Sequence, residues 1–278
     1  MYMNKPNLFI IGAPKCATTS MYHYLKNHND VFVPEIKEQH FFSLPMVKDT
    51  YYDVYFAKNE NDYLRNYDDA KNKKIIADIS PSYLYYKESA DKIIKFNTKS
   101  KIIVILRDPI ERAISHYLMD LRIGYVNKPF FHYLKDKNTL YYKEYVGNSL
   151  YYENVKYYKE LFKDNLLVIS FKELKNNPEL IMNDVFDFLD IERIKINFST
   201  KYNFYSRAKS PIIYYLRKLH LFNFIYKYIP ENLKCKIKTL LFNTVEEKPS
   251  FNEEKDFLQK IFEEDSKKLE KLLNKKLW

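Results

Sequence analysis

The chain has 278 residues and 46 Lys and Arg against 36 Asp and Glu, a net charge of +10 suited to an anionic ligand, nucleic acid or an acidic surface. That length fits one large α/β domain or two small ones, and 46% hydrophobic with 17% aromatic residues can build a substantial core. Two cysteines exclude a disulfide framework or zinc set, the histidines show no H-E-x-x-H pairing, and no apolar run approaches the roughly 20 residues of a membrane span.

In chain order, the apolar run Leu8–Ile11 predicts a buried strand, and Thr19–Asn27 a helix. Lys74–Ala77 predicts a second strand, followed by a helix over Ser89–Phe96. Ile102–Leu106 reads as a third strand, followed by helical patterns at Ile110–Arg122 and Tyr151–Phe162. Leu166–Phe171 completes the strands, and Pro178–Leu189 is helical. Strands alternating with helices predict a doubly wound α/β fold with a parallel sheet, whose ligands bind at the strands' carboxyl ends. The portion from about 204 to 278 is expected to be mostly helical, with Glu253–Leu273 an amphipathic terminal helix. No linker divides the chain, which reads as a single domain over 1–278. The first residues, "MYMNKPNLFII", pass straight into a strand pattern without a cleavage site, so the expectation is a soluble, cytoplasmic chain.

Average glycine usage of about 7% would place roughly 19 glycines in this length. The chain has three, and one of them, Gly12, directly follows the first strand. The stretch "GAPKCATTS" then puts Lys15 and three hydroxyl residues, Thr18, Thr19 and Ser20, where a helix should begin. Clustered donors at a helix N-terminus form an anion site, over which Lys15 would project its ammonium. The same pattern also describes an ordinary strand–turn–helix junction with a good cap. Cys16 reads as a small filler. The third strand ends in "LRDPIERAISHY": Arg107 leaves its carboxyl end, and Ser115 lies two turns into the next helix. Arginine and a hydroxyl suit a second phosphate, although Arg107–Asp108 would equally serve as a structural ion pair.

These motifs resemble those of the PAPS-dependent sulfotransferases, PAPS being 3′-phosphoadenosine 5′-phosphosulfate, and most closely the bacterial and heparan-type carbohydrate branch. "GAPKCATTS" is similar to the family's 5′-phosphosulfate loop, and "ILRDPIERAISHY" to its 3′-phosphate element. "KEQHFFS" is similar to the segment carrying the proposed base, and "DISPSYLY" to the segment near the acceptor. "NSLYYENVKYYKELFKDNLLVISFKEL", "FDFLDI" and "YNFYSRAKSP" follow in the family's order, so the likeness spans nearly the whole chain. Departures are Ile79 where heparan-type enzymes often carry Lys, Ala17 in place of a loop glycine, and Asn148–Tyr151 in place of R-G-x-Y. Tyr151 is carried as a packing or weak ligand candidate.

The resemblance implies a P-loop-NTPase-like central parallel sheet flanked by helices. It implies that Gly12, Lys15, Cys16, Ala17, Thr18, Thr19 and Ser20 hold the 5′-phosphosulfate, and that Arg107, Ser115 and Arg207 reach the rest of the nucleotide. Lys15 would stabilise the leaving phosphate oxygen and Glu38 would take the acceptor proton. His40 would orient Glu38 or the acceptor, Asp78 is a second-choice base, and Lys37, Ser80 and Tyr83 complete the acceptor side. Without the likeness, Lys37–Glu38 would read as a solvated ion pair and His40 as a structural histidine. No metal is expected, there being no Walker motif or carboxylate cluster.

The acceptor class expected is a glycan or glycolipid; a small alcohol, phenol or amine is the alternative within the same chemistry. A P-loop kinase or nucleotide hydrolase is a second reading of the loop, and a polyanion binder is a third, although no nucleic-acid partner is expected. The basic, aromatic segment Ser206–Asn243, with eight Lys and Arg and one acid, reads as helices packed over the sheet, as a cleft wall for an acidic glycan, or as a surface for anionic membrane.

Overall fold

The computed structural model describes residues 4–52, 54–199, 207–208, 242–243 and 249–278. The chain divides into two compact units, the first comprising Met1–Pro109, Leu150–Tyr202 and Phe262–Trp278, the second Ile110–Ser149 and Asn203–Ile261.

The first unit is built on a five-stranded sheet: β1 (Leu8–Gly12), β2 (Val31–Phe32), β3 (Ile75–Ile79), β4 (Lys101–Leu106) and β5 (Leu166–Ser170). All pairings are parallel, in the order β2-β3-β1-β4-β5. Every residue of β1 and β3 is buried, which explains why these strands read as unbroken apolar runs rather than alternating ones: helices cover both faces. Strand addition reverses at β1, which lies between β3 and β4, and in such sheets the crevice beyond the carboxyl ends at this switch receives the ligand. Around the sheet run α1 (Thr18–Lys26), α2 (Glu60–Arg65), α3 (Lys87–Phe96), α7 (Tyr152–Phe162), α8 (Phe171–Asn176) and α9 (Pro178–Leu189).

The predicted strands recur with changed limits. β3 runs on to Ile79, so Asp78 lies inside a strand instead of after it. β5 stops at Ser170, because the Ser170 hydroxyl accepts the Glu173 N–H at 3.4 Å and starts α8. The edge strand β2, of two residues, is too short to show a period.

The second unit contains α4 from Ile110 (the helix spans Pro109–Ile123), α5 (Phe130–Leu134) and α6 (Leu140–Tyr145). Its interior is built around Arg112, which is fully buried. The Arg112 guanidinium donates to Ser149 Oγ at 2.7 Å and to the carbonyls of Glu144 and Tyr145. Tyr145 donates its hydroxyl to the buried Asp120 at 2.6 Å, and Tyr117 stacks on Phe130 with centroids 4.6 Å apart. A short antiparallel pair, β6 (Arg207–Ala208) with β7 (Phe242–Asn243), belongs to this unit.

The final helix, α10 (Asn252–Leu273), matches the amphipathic pattern read from sequence. Within the first unit its Asp265 carboxylate accepts the N–H groups of Tyr151 and Tyr152, capping α7 from a distant part of the chain. Most of the basic aromatic segment 206–243 lies outside the described residues.

Candidate active site

The loop after β1 is shaped by close approach. A Cβ on Gly12 would sit 2.8 Å from Leu84 Cβ and 3.2 Å from the Pro81 carbonyl oxygen, so no larger residue fits. The Ala13 N–H donates to the Ile105 carbonyl at 2.8 Å, tying the loop to β4. Lys15 (φ 70°) and Ala17 (φ 64°) both adopt the left-handed conformation. Cys16 is fully buried, with its Sγ 3.6 Å from the Pro14 carbonyl oxygen, in keeping with a filler.

Thr18, Thr19 and Ser20 were expected to cap α1. They are instead its first three residues, and Ala17 holds the cap position without a side-chain hydrogen bond. The first helical bond runs from Met21 N–H to the Ala17 carbonyl, and among the described residues no partner is recorded for the N–H groups of Thr18, Thr19 and Ser20. An uncapped helix start with three such donors is a ready anion site.

Arg107, at the end of β4, donates to the Lys15 carbonyl at 3.5 Å, and its guanidinium lies over the Phe171 ring, 4.8 Å from the centroid. This brings an arginine from one strand end beside the loop from the next. Ser115 lies on α4 in the second unit, and the Arg207 side chain lies outside the described residues.

The segment 37–43 passes the same strand ends. The Glu38 N–H donates to the Ile79 carbonyl at 3.1 Å, fastening the segment to the carboxyl end of β3. Lys37 Nζ donates to Thr19 Oγ1 at 3.0 Å and pairs with Glu38 Oε1 at 2.8 Å. Lys37, expected at the acceptor, is therefore turned toward the start of α1. The Glu38 side chain stays 40% exposed. Glu38 (φ 63°) and His40 (φ 53°) are also left-handed. Such strained backbone gathers at functional sites. Among the described non-glycine residues with positive φ, half fall in the two segments 15–17 and 38–40.

His40 is buried, and burial holds its imidazole below the usual histidine range; Glu38 opposes this shift and Lys37 adds to it. Its Nδ1 lies 2.7 Å from Ser82 Oγ, which lies 2.8 Å from Ser43 Oγ.

Three expected site residues have other work. Asp78 is 1% exposed and accepts hydroxyls from Tyr63 (2.7 Å), Ser80 (2.7 Å) and Tyr83 (2.8 Å). Burial raises its carboxyl above the usual range, while the three hydroxyls pull it back. A carboxylate so enclosed cannot reach an acceptor hydroxyl, so Asp78 is an anchor and not a base. Ser80 and Tyr83 are likewise fully buried and committed to Asp78, which removes them from acceptor contact. Ile79 is buried in β3, and Tyr151 packs 1% exposed near Trp278.

Sequence reasoning missed the buttress beneath this segment. Gln39 is buried, donates to Tyr67 Oη at 2.9 Å and accepts from Asn66 Nδ2 at 2.8 Å. Phe41 stacks on Tyr63 with centroids 4.6 Å apart. The only sequence signal was the density of Tyr and Phe, which carries no position.

The sequence profile described as the sulfotransferase domain matches residues 5–227. The chain belongs to the sulfotransferase-domain family. This sulfotransferase chain is 32% identical to mouse carbohydrate sulfotransferase 15 in a match covering 41% of it. It is 33% identical to human heparan sulfate glucosamine 3-O-sulfotransferase 3B1 in a match covering 42%. Each match spans only 27% of the relative's own length. A sulfotransferase crystal structure from Alicyclobacillus acidocaldarius superimposes with a TM-score of 0.74 at 23% identity, covering 98% of this chain and 97% of that one, and so shares its fold.

Proposed function

We propose that the chain, acting as a single sulfotransferase domain over residues 1–278, moves a sulfuryl group from PAPS to a hydroxyl of a carbohydrate or glycolipid, without a required metal. The observation that carries this reading is the Thr19–Lys37–Glu38 chain, in which one ammonium bridges the helix start to a half-exposed carboxylate over 3.0 and 2.8 Å. It sets a proton acceptor beside an anion site, as transfer from a phosphate to a hydroxyl requires.

The residues suit the donor. The N–H groups of Thr18, Thr19 and Ser20 would hold the 5′-phosphate, with Gly12 and Ala17 allowing the loop's close turn. Lys15 would place its ammonium on the bridging oxygen where negative charge develops. Arg107 would take the 3′-phosphate in the bidentate manner of a guanidinium. Glu38 would remove the acceptor proton, Lys37 would hold Glu38 and the Thr19 hydroxyl in register, and His40 would receive the acceptor hydroxyl. The carbohydrate acceptor is supported by the sulfotransferases of carbohydrate and heparan sulfate that the chain matches.

The test is transfer of labelled sulfate from PAPS to a panel of glycans, glycolipids, small alcohols, phenols and amines, with products identified by mass spectrometry. Label on a sugar hydroxyl is the expected result. Calorimetry with 3′,5′-phosphoadenosine against ATP–Mg completes it; preference for ATP–Mg would overturn the reading in favour of a kinase.

A further inference from the structure

The hydrogens of the buried chain His40–Ser82–Ser43 can be counted. Ser43 is 0%, His40 7% and Ser82 9% exposed, so each polar atom gains from a partner inside the protein. Three contacts are available: His40 Nδ1 to Ser82 Oγ at 2.7 Å, Ser82 Oγ to Ser43 Oγ at 2.8 Å, and Ser43 Oγ to the His40 carbonyl oxygen at 3.1 Å. The carbonyl accepts only, and each hydroxyl has one hydrogen to give.

If Ser43 donates to the carbonyl, Ser82 is left to donate to Ser43, and Nδ1–H must then donate to Ser82. All three contacts become hydrogen bonds and every hydrogen is used. The reverse direction, Ser43 to Ser82 to a bare Nδ1, makes two bonds and gives up the third. The first arrangement wins by one buried hydrogen bond.

Resting on the sulfotransferase reading above, we propose that Ser82 and Ser43 are positioning residues that fix His40 as the Nδ1–H tautomer, leaving the Nε2 lone pair to accept a hydrogen bond from a neighbouring hydroxyl of the carbohydrate acceptor and so orient it, while the hydrogen of the reacting hydroxyl goes to Glu38. Imidazole otherwise favours the proton on Nε2, which would present a donor where this orienting bond needs an acceptor. The left-handed turn at His40 (φ 53°), the bond from its N–H to Ser80 Oγ at 3.4 Å and the stacked Phe41 beside it hold the ring to this chain. Burial, which keeps the imidazole neutral, supports the same arrangement, with Glu38 and Lys37 its charged neighbours.

The experiment is long-range ¹⁵N–¹H correlation on protein with ¹⁵N-labelled histidine, the His40 signals being assigned by their loss in His40→Asn. A protonated Nδ1 with a bare Nε2 is expected in the unaltered protein; a protonated Nε2 overturns the proposal. In Ser43→Ala the Ser82 hydrogen loses its acceptor and turns to Nδ1, so the tautomer should invert, and retention of Nδ1–H overturns the relay. Ser82→Ala should lower kcat about tenfold with the KM for PAPS unchanged, roughly the worth of one lost orienting hydrogen bond. Ser82→Thr, which restores a hydroxyl, should recover most of that loss. Expected tautomers with undiminished kcat in both alanine variants overturn the role of Nε2. If the unaltered protein transfers no sulfate, the sulfotransferase reading fails, and the NMR result alone still decides the tautomer.

Discussion

Two carboxylates of the site show how environment assigns roles. Glu38 and Asp78 both sit at the carboxyl end of β3, one linked to Ile79 through its N–H and the other within the strand. Glu38 keeps 40% of its side chain exposed, whereas Asp78 is enclosed by three hydroxyls. Glu38→Gln is therefore expected to lower turnover by about 10²–10⁴-fold while leaving 3′,5′-phosphoadenosine affinity intact. Single-turnover kinetics beside calorimetry checks this, and unchanged turnover would remove Glu38 as the base. Ala17 offers a second test at this scale. Its φ of 64° costs an L-residue roughly 1–2 kcal/mol, whereas glycine gives up about 0.5–1 kcal/mol in the unfolded chain. Ala17→Gly should raise stability by up to about 1.5 kcal/mol in urea denaturation, with the nucleotide still bound. The sequence marked Ala17 as a departure from the family's glycine, but the strain that follows is visible only in the backbone.

At the scale of elements, the site is a meeting of strand ends. α1 begins with hydroxyl residues but is capped by none of them, so its first N–H groups lack a side-chain cap. β4 delivers Arg107, and the start of α8 supplies the Phe171 face that holds its guanidinium. Arg107→Ala should weaken 3′,5′-phosphoadenosine by roughly 10–100-fold, the usual worth of hydrogen bonds to a charged group. Adenosine 5′-phosphate, lacking the 3′-phosphate, should be almost unaffected. Isothermal titration of both nucleotides decides it, and equal weakening would refute the 3′-phosphate assignment. The strands that read most clearly from sequence, β1 and β4, are buried along nearly their whole length and carry only apolar residues in that buried part. β2, a two-residue edge strand, left no pattern, and the apolar run read for β3 ended at Ala77, short of the buried Asp78 and Ile79. Tyr63, Ser80 and Tyr83 make that aspartate tolerable, and two of them, Ser80 and Tyr83, read from sequence as acceptor contacts.

For the whole molecule, the buried His40 makes stability depend on pH. Its folded-state pKa lies below the unfolded value of about 6.5, so above that value both states are neutral and nothing is lost. As pH falls below 6.5 the unfolded chain takes up a proton that the folded chain refuses, and stability declines. Asp78, with its pKa raised above 3.8, acts in the opposite sense: the folded state keeps its proton to higher pH, and acidification relieves the cost of burying the charge. Denaturation curves at pH 7 and 5.5 should show a loss of stability that is smaller in His40→Asn; an identical loss would place the sensitivity elsewhere. Among the described residues no helix is long and apolar enough to cross a membrane. By itself, the order of residues determined the kind of fold, through apolar runs of strand length alternating with helical periods, and singled out the loop at 12–20 and Arg107 as candidate anion-binding segments, whereas the Lys37–Glu38 pair stood out only through the family resemblance. Those are local signals, carried by neighbours in the chain. Only the tertiary structure decided that Lys37 reaches Thr19, that Asp78 is an anchor and that two serines face His40. Each rests on a contact between segments apart in the chain, Lys37 with Thr19, Asp78 with Tyr63 and His40 with Ser82, and such contacts depend on how whole faces pack, which no local stretch records.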